Sequence, residues 1–269
     1  MKQPFFSIIV VCLNPGSKLG MTLDSICNQT FDDYEVLIKD GGSVDGTVEQ
    51  VVTLARNDRI RFWSEEDEGI YDAMNQAVKR AKGEFIYFLN CGDWLMNDSV
   101  LEEVNKAIAG DESGGIFYGN IMKQKGEQVI YANPRLNRFA CYRHLPCHQA
   151  CFYRAGLLTE RPFMLKYRIM ADYEHFLACF LEKEVAAVYM PLVIAGYEGG
   201  GFSEIKANKR QRTLEHREIV GYYMSKGELC KYRLIMFLTF APLRTALSQG
   251  RFTATVYNKV KKGIYWRRG

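Results

Sequence analysis

From Phe6 to Leu13 the chain reads FSIIVVCL, a nearly unbroken apolar run that predicts a parallel strand covered on both faces. Asn14, Pro15 and Gly16 end it, and Leu19, Leu23, Ile26 and Cys27 then fall on one face of a helix. EVLIK, Glu35 to Lys39, predicts a second strand, closed by a polar loop from Asp40 to Thr47. Val48, Val51, Val52 and Ala55 mark another helix, and Ile60 to Ser64 a short third strand. The clearest period follows: Ile70, Ala73, Met74, Ala77, Val78 and Ala81 make one apolar helix face, stopped at Gly83. FIYFL, Phe85 to Leu89, is the fourth strand. Strand and helix alternate, so the expectation is a parallel α/β sheet with right-handed crossovers.

After Gly110 the alternation weakens. Ile116 to Tyr118 and Gln128 to Tyr131 predict a hairpin around Lys125-Gly126. Asp172 to Leu181 predicts a helix and Val185 to Tyr189 a strand, and from about Ala207 the chain turns helical and basic.

Ligands of such sheets gather at the carboxyl ends of the strands, and polar residues cluster there. Asn14 follows the first strand, Asp40 the second, Glu65 to Asp67 the third and Asn90 to Asp93 the fourth. In DGGSVDGT, Asp40 to Thr47, the glycines let the backbone approach a ligand, and Asp40 can accept bonds from a base or ribose. Asp45 reads better as a helix cap. In DEGIYDAMN, Asp67 reads as a cap, while Asp72 and Asn75 lie off the apolar face and read as solvent residues. Asp93 of NCGDW is placed equally well to hold a hard cation or to stabilise a tight turn. Asp172 opens a helix, where a carboxylate is ordinarily a cap.

Charge changes the picture at one end. From Gly201 to Gly269 there are 15 Lys/Arg against 4 Asp/Glu, whereas the preceding residues hold 20 against 27. A basic tail on an acidic body suits a polyanionic contact, a membrane surface or phosphate, or simply a solvated helix. Its most apolar stretch, Leu234 to Leu243, is too short to span a bilayer and is bracketed by Arg233 and Arg244. With no apolar leader, the eight cysteines are expected to be reduced thiols in the cytoplasm. Five thiol or imidazole groups between Cys141 and Cys151 suggest zinc, but their spacing fits no standard finger.

Taken in order, SIIVVCLN, DGGSVDGT, DEGIYDAMNQAVKRAKGE, FLNCGDW, PCHQACFYR and MADYEHFL resemble the inverting family 2 glycosyltransferases with the GT-A fold, and within them the enzymes that build bacterial surface polysaccharides. The resemblance covers about the first 205 residues. It implies a Rossmann-like, mostly parallel central sheet with helices on both faces, plus a basic helical C-terminal extension. Residues 1–205 would form the glycosyltransferase domain, with about 1–110 the nucleotide-sugar half and 111–205 the acceptor half, and 206–269 the extension. It implies that Asp40 reads the nucleobase and that Asn14, Gly42, Ser43, Asp67, Asn75 and Asn90 line the donor site. Asp93 would hold Mn²⁺ or Mg²⁺, although Asn90 and Gly92 stand where the family usually carries further acids. Asp172 matches the catalytic base. His148 and Gln149 match an acceptor-side segment, and Ser203 ends a stretch similar to the family's flexible loop near the diphosphate.

The implied activity is transfer of a hexosyl or N-acetylhexosaminyl group from a nucleotide sugar, by resemblance uridine-based, to a glycan or lipid-linked acceptor. The chemistry is coherent. A departing diphosphate needs a cation, and an acceptor hydroxyl needs a carboxylate within hydrogen-bond reach. A sugar nucleotidyltransferase would want a Gly-rich basic loop after the first strand, which Asn14-Pro-Gly-Ser-Lys-Leu-Gly only poorly provides. A non-catalytic sugar-nucleotide-binding subunit is the other alternative, kept open by the thinned acidic motif. No G-x-G-x-x-G follows the first strand, which argues against a dinucleotide enzyme, and no nucleic acid partner is expected. The tail, with Leu234, Ile235, Phe237 and Leu238 ahead of Lys259, Lys261, Lys262, Arg267 and Arg268, suits peripheral docking on an anionic inner membrane; the same face could instead pack on the body or form a homodimer.

Overall fold

The computed structural model describes residues 3–47, 58–111, 113–124, 128–199 and 206–239. The helix expected at Val48 to Ala55, the Lys125-Gly126 turn, Ser203 and the tail from Phe240 lie outside them.

Four strands form the parallel half: β1 (Phe6–Cys12), β2 (Tyr34–Asp40), β3 (Ile60–Ser64) and β4 (Phe85–Phe88), in the order β3-β2-β1-β4. Every residue of β1, β2 and β4 is buried. Their side chains alternate between two cores. Phe6, Ile8 and Val10 pack with α1 (Lys18–Cys27) and α3 (Val100–Ala109). Ile9, Val11, Ile86 and Phe88 face α2 (Ile70–Val78) and α6 (Ala171–Leu177). The expected layering of helices on both faces is therefore present.

The helix α2 stops at Val78, short of Ala81, and Gly83 has a further reason to be glycine. A β-carbon there would strike the backbone nitrogen of Ser7, so the chain could not pass this close to β1.

Beyond β4 the sheet turns mixed, continuing β8 (Cys151–Arg154), β6 (Ile116–Lys123), β9 (Ala187–Tyr197) and β5 (Trp94–Leu95). The strand β8 runs antiparallel to both β4 and β6, which delivers its first residues to the carboxyl end of β4. The hairpin is present as β6 with β7 (Gln128–Ile130). The strand expected at Val185 to Tyr189 runs on to Tyr197. Pro191 does not end it, because the β6–β9 register slips there: Tyr118 faces Tyr189, but Asn120 already faces Val193. Between β7 and β8 lies the short helix α4 (Arg138–Arg143), and α5 (Ala155–Glu160) follows β8.

The described part of the C-terminal extension is α7 (Lys209–Tyr223) and α8 (Lys226–Leu238). Ile219, Val220, Tyr223, Met224 and Tyr232 are buried in the same core as α2 and α6. Arg161 pairs with buried Glu174 at 2.7 Å, and the Tyr223 hydroxyl donates to the same carboxylate at 2.5 Å, so α7 is tied directly to α6. Towards its end α8 exposes Leu234, Phe237 and Leu238. Among the described residues no helix is long and apolar enough to cross a membrane. No disulfide joins any two of the cysteines.

Candidate active site

The loops after β1 and β2 are stitched together. The Asn14 amide donates to Ser43 Oγ at 2.7 Å, and Asn14 Oδ1 accepts the Val44 amide at 2.9 Å. Asn14 reaches this position at φ 47°, a left-handed conformation that asparagine tolerates better than most side chains. Asp45 accepts from the Gly16 amide at 2.9 Å and the Thr47 amide at 3.1 Å, which locks the same junction.

Asp40 is fully buried at the end of β2. Its Oδ2 accepts the Gly42 amide at 3.0 Å, the Ser43 amide at 2.9 Å and the Ser64 hydroxyl at 2.6 Å. Oδ1 accepts the Ser43 hydroxyl and faces the Cys12 thiol at 3.8 Å. Burial pushes the carboxyl up, but the bonds from Ser43, Ser64 and Gly42 outweigh it and hold it below the usual range. A carboxylate offers about four lone-pair positions, so these donors saturate it.

Beneath this loop lies a cation that sequence reading did not single out. Lys39 is completely buried, and its Nζ meets Asp67 Oδ2 at 2.7 Å, Glu65 O at 2.5 Å and Asp40 O at 3.0 Å. Asp67 also accepts the Gly69 amide at 3.0 Å. Removing Asp67 would leave an uncompensated buried charge. Nothing flags Lys39 in the sequence, because EVLIK reads as an ordinary half-buried strand. Asn75 is engaged elsewhere: its amide donates to Phe163 O and accepts the Phe163 amide, both at 2.9 Å, clamping α2 to the segment before α6.

Asp93 sits in the turn after β4, where Gly92 at φ 96° brings the chain against the Lys18 side chain. It is 9% exposed and receives one side-chain bond, from Gln149 Nε2 at 3.0 Å. Burial dominates, so its carboxyl is pushed up to about 7 despite Gln149 and Lys18. Three residues upstream, Asn90 Oδ1 is buried without a partner among the described residues. Burial, with Asp93 adding to it, raises the Cys91 thiol to about 12, so no thiolate stands between them at neutral pH. Among the described residues no three His, Cys, Asp or Glu side chains converge as a metal cage, and the Cys141–Cys151 stretch forms none.

Gln149 is itself held: Cys147 donates to its Oε1 at 2.8 Å, and Tyr87 donates to its carbonyl at 2.8 Å. Its neighbour His148 stacks on Phe88, with ring centroids 5.0 Å apart. The two residues share a single turn of 3₁₀ helix, His148–Ala150, leading into β8.

Asp172 is the second residue of α6, not its cap; Met170 holds that position and makes no side-chain capping bond. Asp172 Oδ1 lies 2.7 Å from the Tyr71 hydroxyl of α2, which also lies 2.9 Å from Ile169 O. Burial and the nearby Asp172 charge push Tyr71 well above the usual phenol range, so it remains a donor. The entry to α6 is capped from afar. Buried Glu215 of α7 accepts the Arg168 amide at 3.1 Å and the Ile169 and Met170 amides at 3.0 Å. Tyr71 could have been noticed inside the GIYDAMN string; Glu215 carries no local signal at all.

Asp93 and Asp172 thus come to the same end of the sheet, with consecutive residues between them. Gln149 bonds the first, and the His148 ring packs on Phe163, which packs on Tyr71, the partner of the second.

The profile of Glycosyl transferase family 2 matches residues 7–176. A "PGL/p-HBAD biosynthesis glycosyltransferase" of Mycobacterium tuberculosis is 36% identical over 213 residues, covering 78% of this chain and 83% of the relative. Among solved structures, Staphylococcus aureus TarS 1–349 in complex with UDP-GlcNAc superposes with a TM-score of 0.67 at 18% identity, over 83% of this chain and 68% of that one. Glucosyl-3-phosphoglycerate synthase from Mycobacterium tuberculosis, in complex with Mn²⁺, UDP and glucosyl-3-phosphoglycerate, does so with a TM-score of 0.60 at 16% identity, over 83% and 82%. At that identity the two structures speak for the GT-A fold alone.

Proposed function

The chain belongs to glycosyl transferase family 2, and from that premise we propose that it transfers a hexosyl or N-acetylhexosaminyl group, with inversion, from a uridine diphosphate sugar to a hydroxyl of a glycan or lipid-linked acceptor in surface-polysaccharide assembly. The observation that carries this reading is the pair of carboxylates, Asp93 just past β4 and Asp172 at the start of α6, held by different partners, Gln149 and Tyr71, and linked through the packing of His148, Phe163 and Tyr71. Uridine and a divalent ion are also in keeping with the ligands named for the structural neighbours.

The donor's nucleoside is assigned to the loop that Asp40 organises, with Asn14, Gly42 and Ser43 at its rim and Asp67 supporting it. A base N–H reading Asp40 would take the place of the Ser43 hydroxyl on Oδ1. Asp93 and the Asn90 oxygen, which meets no partner among the described residues, suit a hard cation such as Mn²⁺ or Mg²⁺. Bound there, the ion would neutralise charge developing on the departing diphosphate.

Asp172 accepts the proton of the attacking hydroxyl. Tyr71 orients Oδ1, and no described residue hydrogen-bonds Oδ2, which leaves that oxygen to the acceptor. A single displacement needs only this one base. The test is Asp172→Asn, which keeps the size and an acceptor for Tyr71 but removes basicity. Turnover should fall roughly 10²–10⁴-fold while donor affinity stays within about twofold. Wild-type turnover would return Asp172 to a structural role.

For location, we place the exposed end of α8 on an anionic membrane surface. Leu234, Phe237 and Leu238 are exposed beside Arg233, and no acid follows Glu228 to the end of the chain. Sedimentation with anionic vesicles that weakens with salt supports this; a protein that stays in the supernatant at low salt ends it.

A further inference from the structure

His148 is set apart from the other buried histidines. His175 lies 3.1 Å from Leu157 O, and His216 lies 3.1 Å from Tyr142 O and 3.3 Å from the Tyr173 hydroxyl. His148 as a residue is part-exposed, yet both its ring nitrogens are shut off from solvent and meet no hydrogen-bond partner among the described residues. Its walls are aromatic. Phe88 stacks on one face at 5.0 Å, while Phe163 and Tyr153 approach at 6.1 Å and 6.5 Å. Buried polar atoms left unmet destabilise a fold, and where they persist they commonly await something.

The position says what that is. On the reading above, the diphosphate belongs at Asp93 and the attacking hydroxyl at Asp172. The group being transferred is bonded to the first and attacked by the second, so it must lie between them. His148 lies on that path: it is next to Gln149, which bonds Asp93, and its ring packs on Phe163, which packs on Tyr71, the partner of Asp172. We propose that the His148 imidazole hydrogen-bonds a hydroxyl of the transferred sugar and so helps to fix that ring for attack. This rests on the glycosyltransferase reading and names a donor contact within it.

The chemistry favours a hydroxyl over a phosphate. Burial lowers the His148 proton affinity against the pull of Asp172, so the ring is neutral, with one N–H and one bare nitrogen. A hydroxyl both donates and accepts and can satisfy either nitrogen. A phosphate would bring a second anion towards Asp172. A metal would find no further His, Cys, Asp or Glu trio among the described residues.

The experiment uses the full chain with Mn²⁺. A thermal-shift panel of UDP-, GDP- and dTDP-linked hexoses and N-acetylhexosamines first identifies the donor; a wild-type protein that responds to none overturns the glycosyltransferase reading itself and this inference with it. Affinities for that sugar nucleotide and for its nucleoside diphosphate are then compared in wild type, His148→Phe and His148→Asn. The Phe variant keeps the aromatic packing and removes both nitrogens. It should bind the diphosphate like wild type and lose roughly 10–10²-fold in sugar-nucleotide affinity, as expected when a polar sugar group loses its partner. The Asn variant should recover part of that loss. Without ligand, His148→Phe should melt no lower than wild type, since it removes unmet polar atoms. Equal losses for diphosphate and sugar nucleotide would move His148 to the phosphates and overturn the proposal. So would wild-type affinity for both, or a melting temperature several degrees lower, which would mean the ring is already satisfied in the free protein.

Discussion

Asp40 and Asp93 occupy equivalent stations in the sheet, yet their surroundings are opposite. Each is a buried carboxylate at the ligand end of the parallel half, one closing β2 and the other just beyond β4. Asp40 is surrounded by amides and hydroxyls and is held below its ordinary range. Asp93 has one amide from Gln149 and is pushed up to about 7. Burial acts in the same direction on both; the number of donors decides the sign. A saturated carboxylate shapes its own loop, whereas a starved one has capacity left for a ligand.

Four substitutions put pressure on that contrast. The largest effect should come from Asp40→Ala, which strands the Gly42, Ser43 and Ser64 donors inside the fold. A loss of about 3–4 kcal/mol is expected, read by urea denaturation. A loss below about 1 kcal/mol would mean the donors find water, and the contrast would dissolve. Next is Asp93→Ala, which should leave the fold standing but weaken Mn²⁺-dependent donor binding by roughly 10²-fold, about 2.7 kcal/mol, by calorimetry. An unchanged metal dependence would take Asp93 out of the site.

The smallest effect sharpens the comparison through pH. A group whose native pKa is raised stabilises the fold below its unfolded value, and that stability is lost as pH rises through the native value. For Asp93 the window runs from about 4 to about 7. In metal-free protein, Asp93→Asn should therefore match wild type at the acid end and overtake it as pH rises through that window, read by urea denaturation at either end. The same exchange at Asp40 should destabilise at pH 8, because there the charged form is the favoured one.

The parallel half was readable because its signals are local. Runs such as FSIIVVC and FIYF declare two-sided burial, and the Ile70 to Val78 spacing declares a helix face. Polar residues at the strand ends followed from topology, so Asp40 and Asp93 could be named in advance, whereas Asp172, at a helix start, was named only through the resemblance of MADYEHFL. Their partners could not. Asn75 looked like a solvent residue because periodicity says only which face is apolar, not that its opposite side meets the Phe163 backbone. The strand β9 was cut short in the reading because the slip that accommodates Pro191 depends on its partner β6. Tyr71 and Asp172 are separated by 101 residues, and nothing in a single sequence couples them.

Glu215 sets an order of events during synthesis. The helix that carries Asp172 has no side-chain cap of its own and is completed by a carboxylate 46 residues downstream of Ile169. At a translation rate of about 5–20 residues per second, the ribosome makes Glu215 roughly 2–9 seconds after that segment. The parallel strands can already be folding while Asp172, the proposed base, still sits on an unfinished helix. On the proposed reading, a nascent chain would complete its base last.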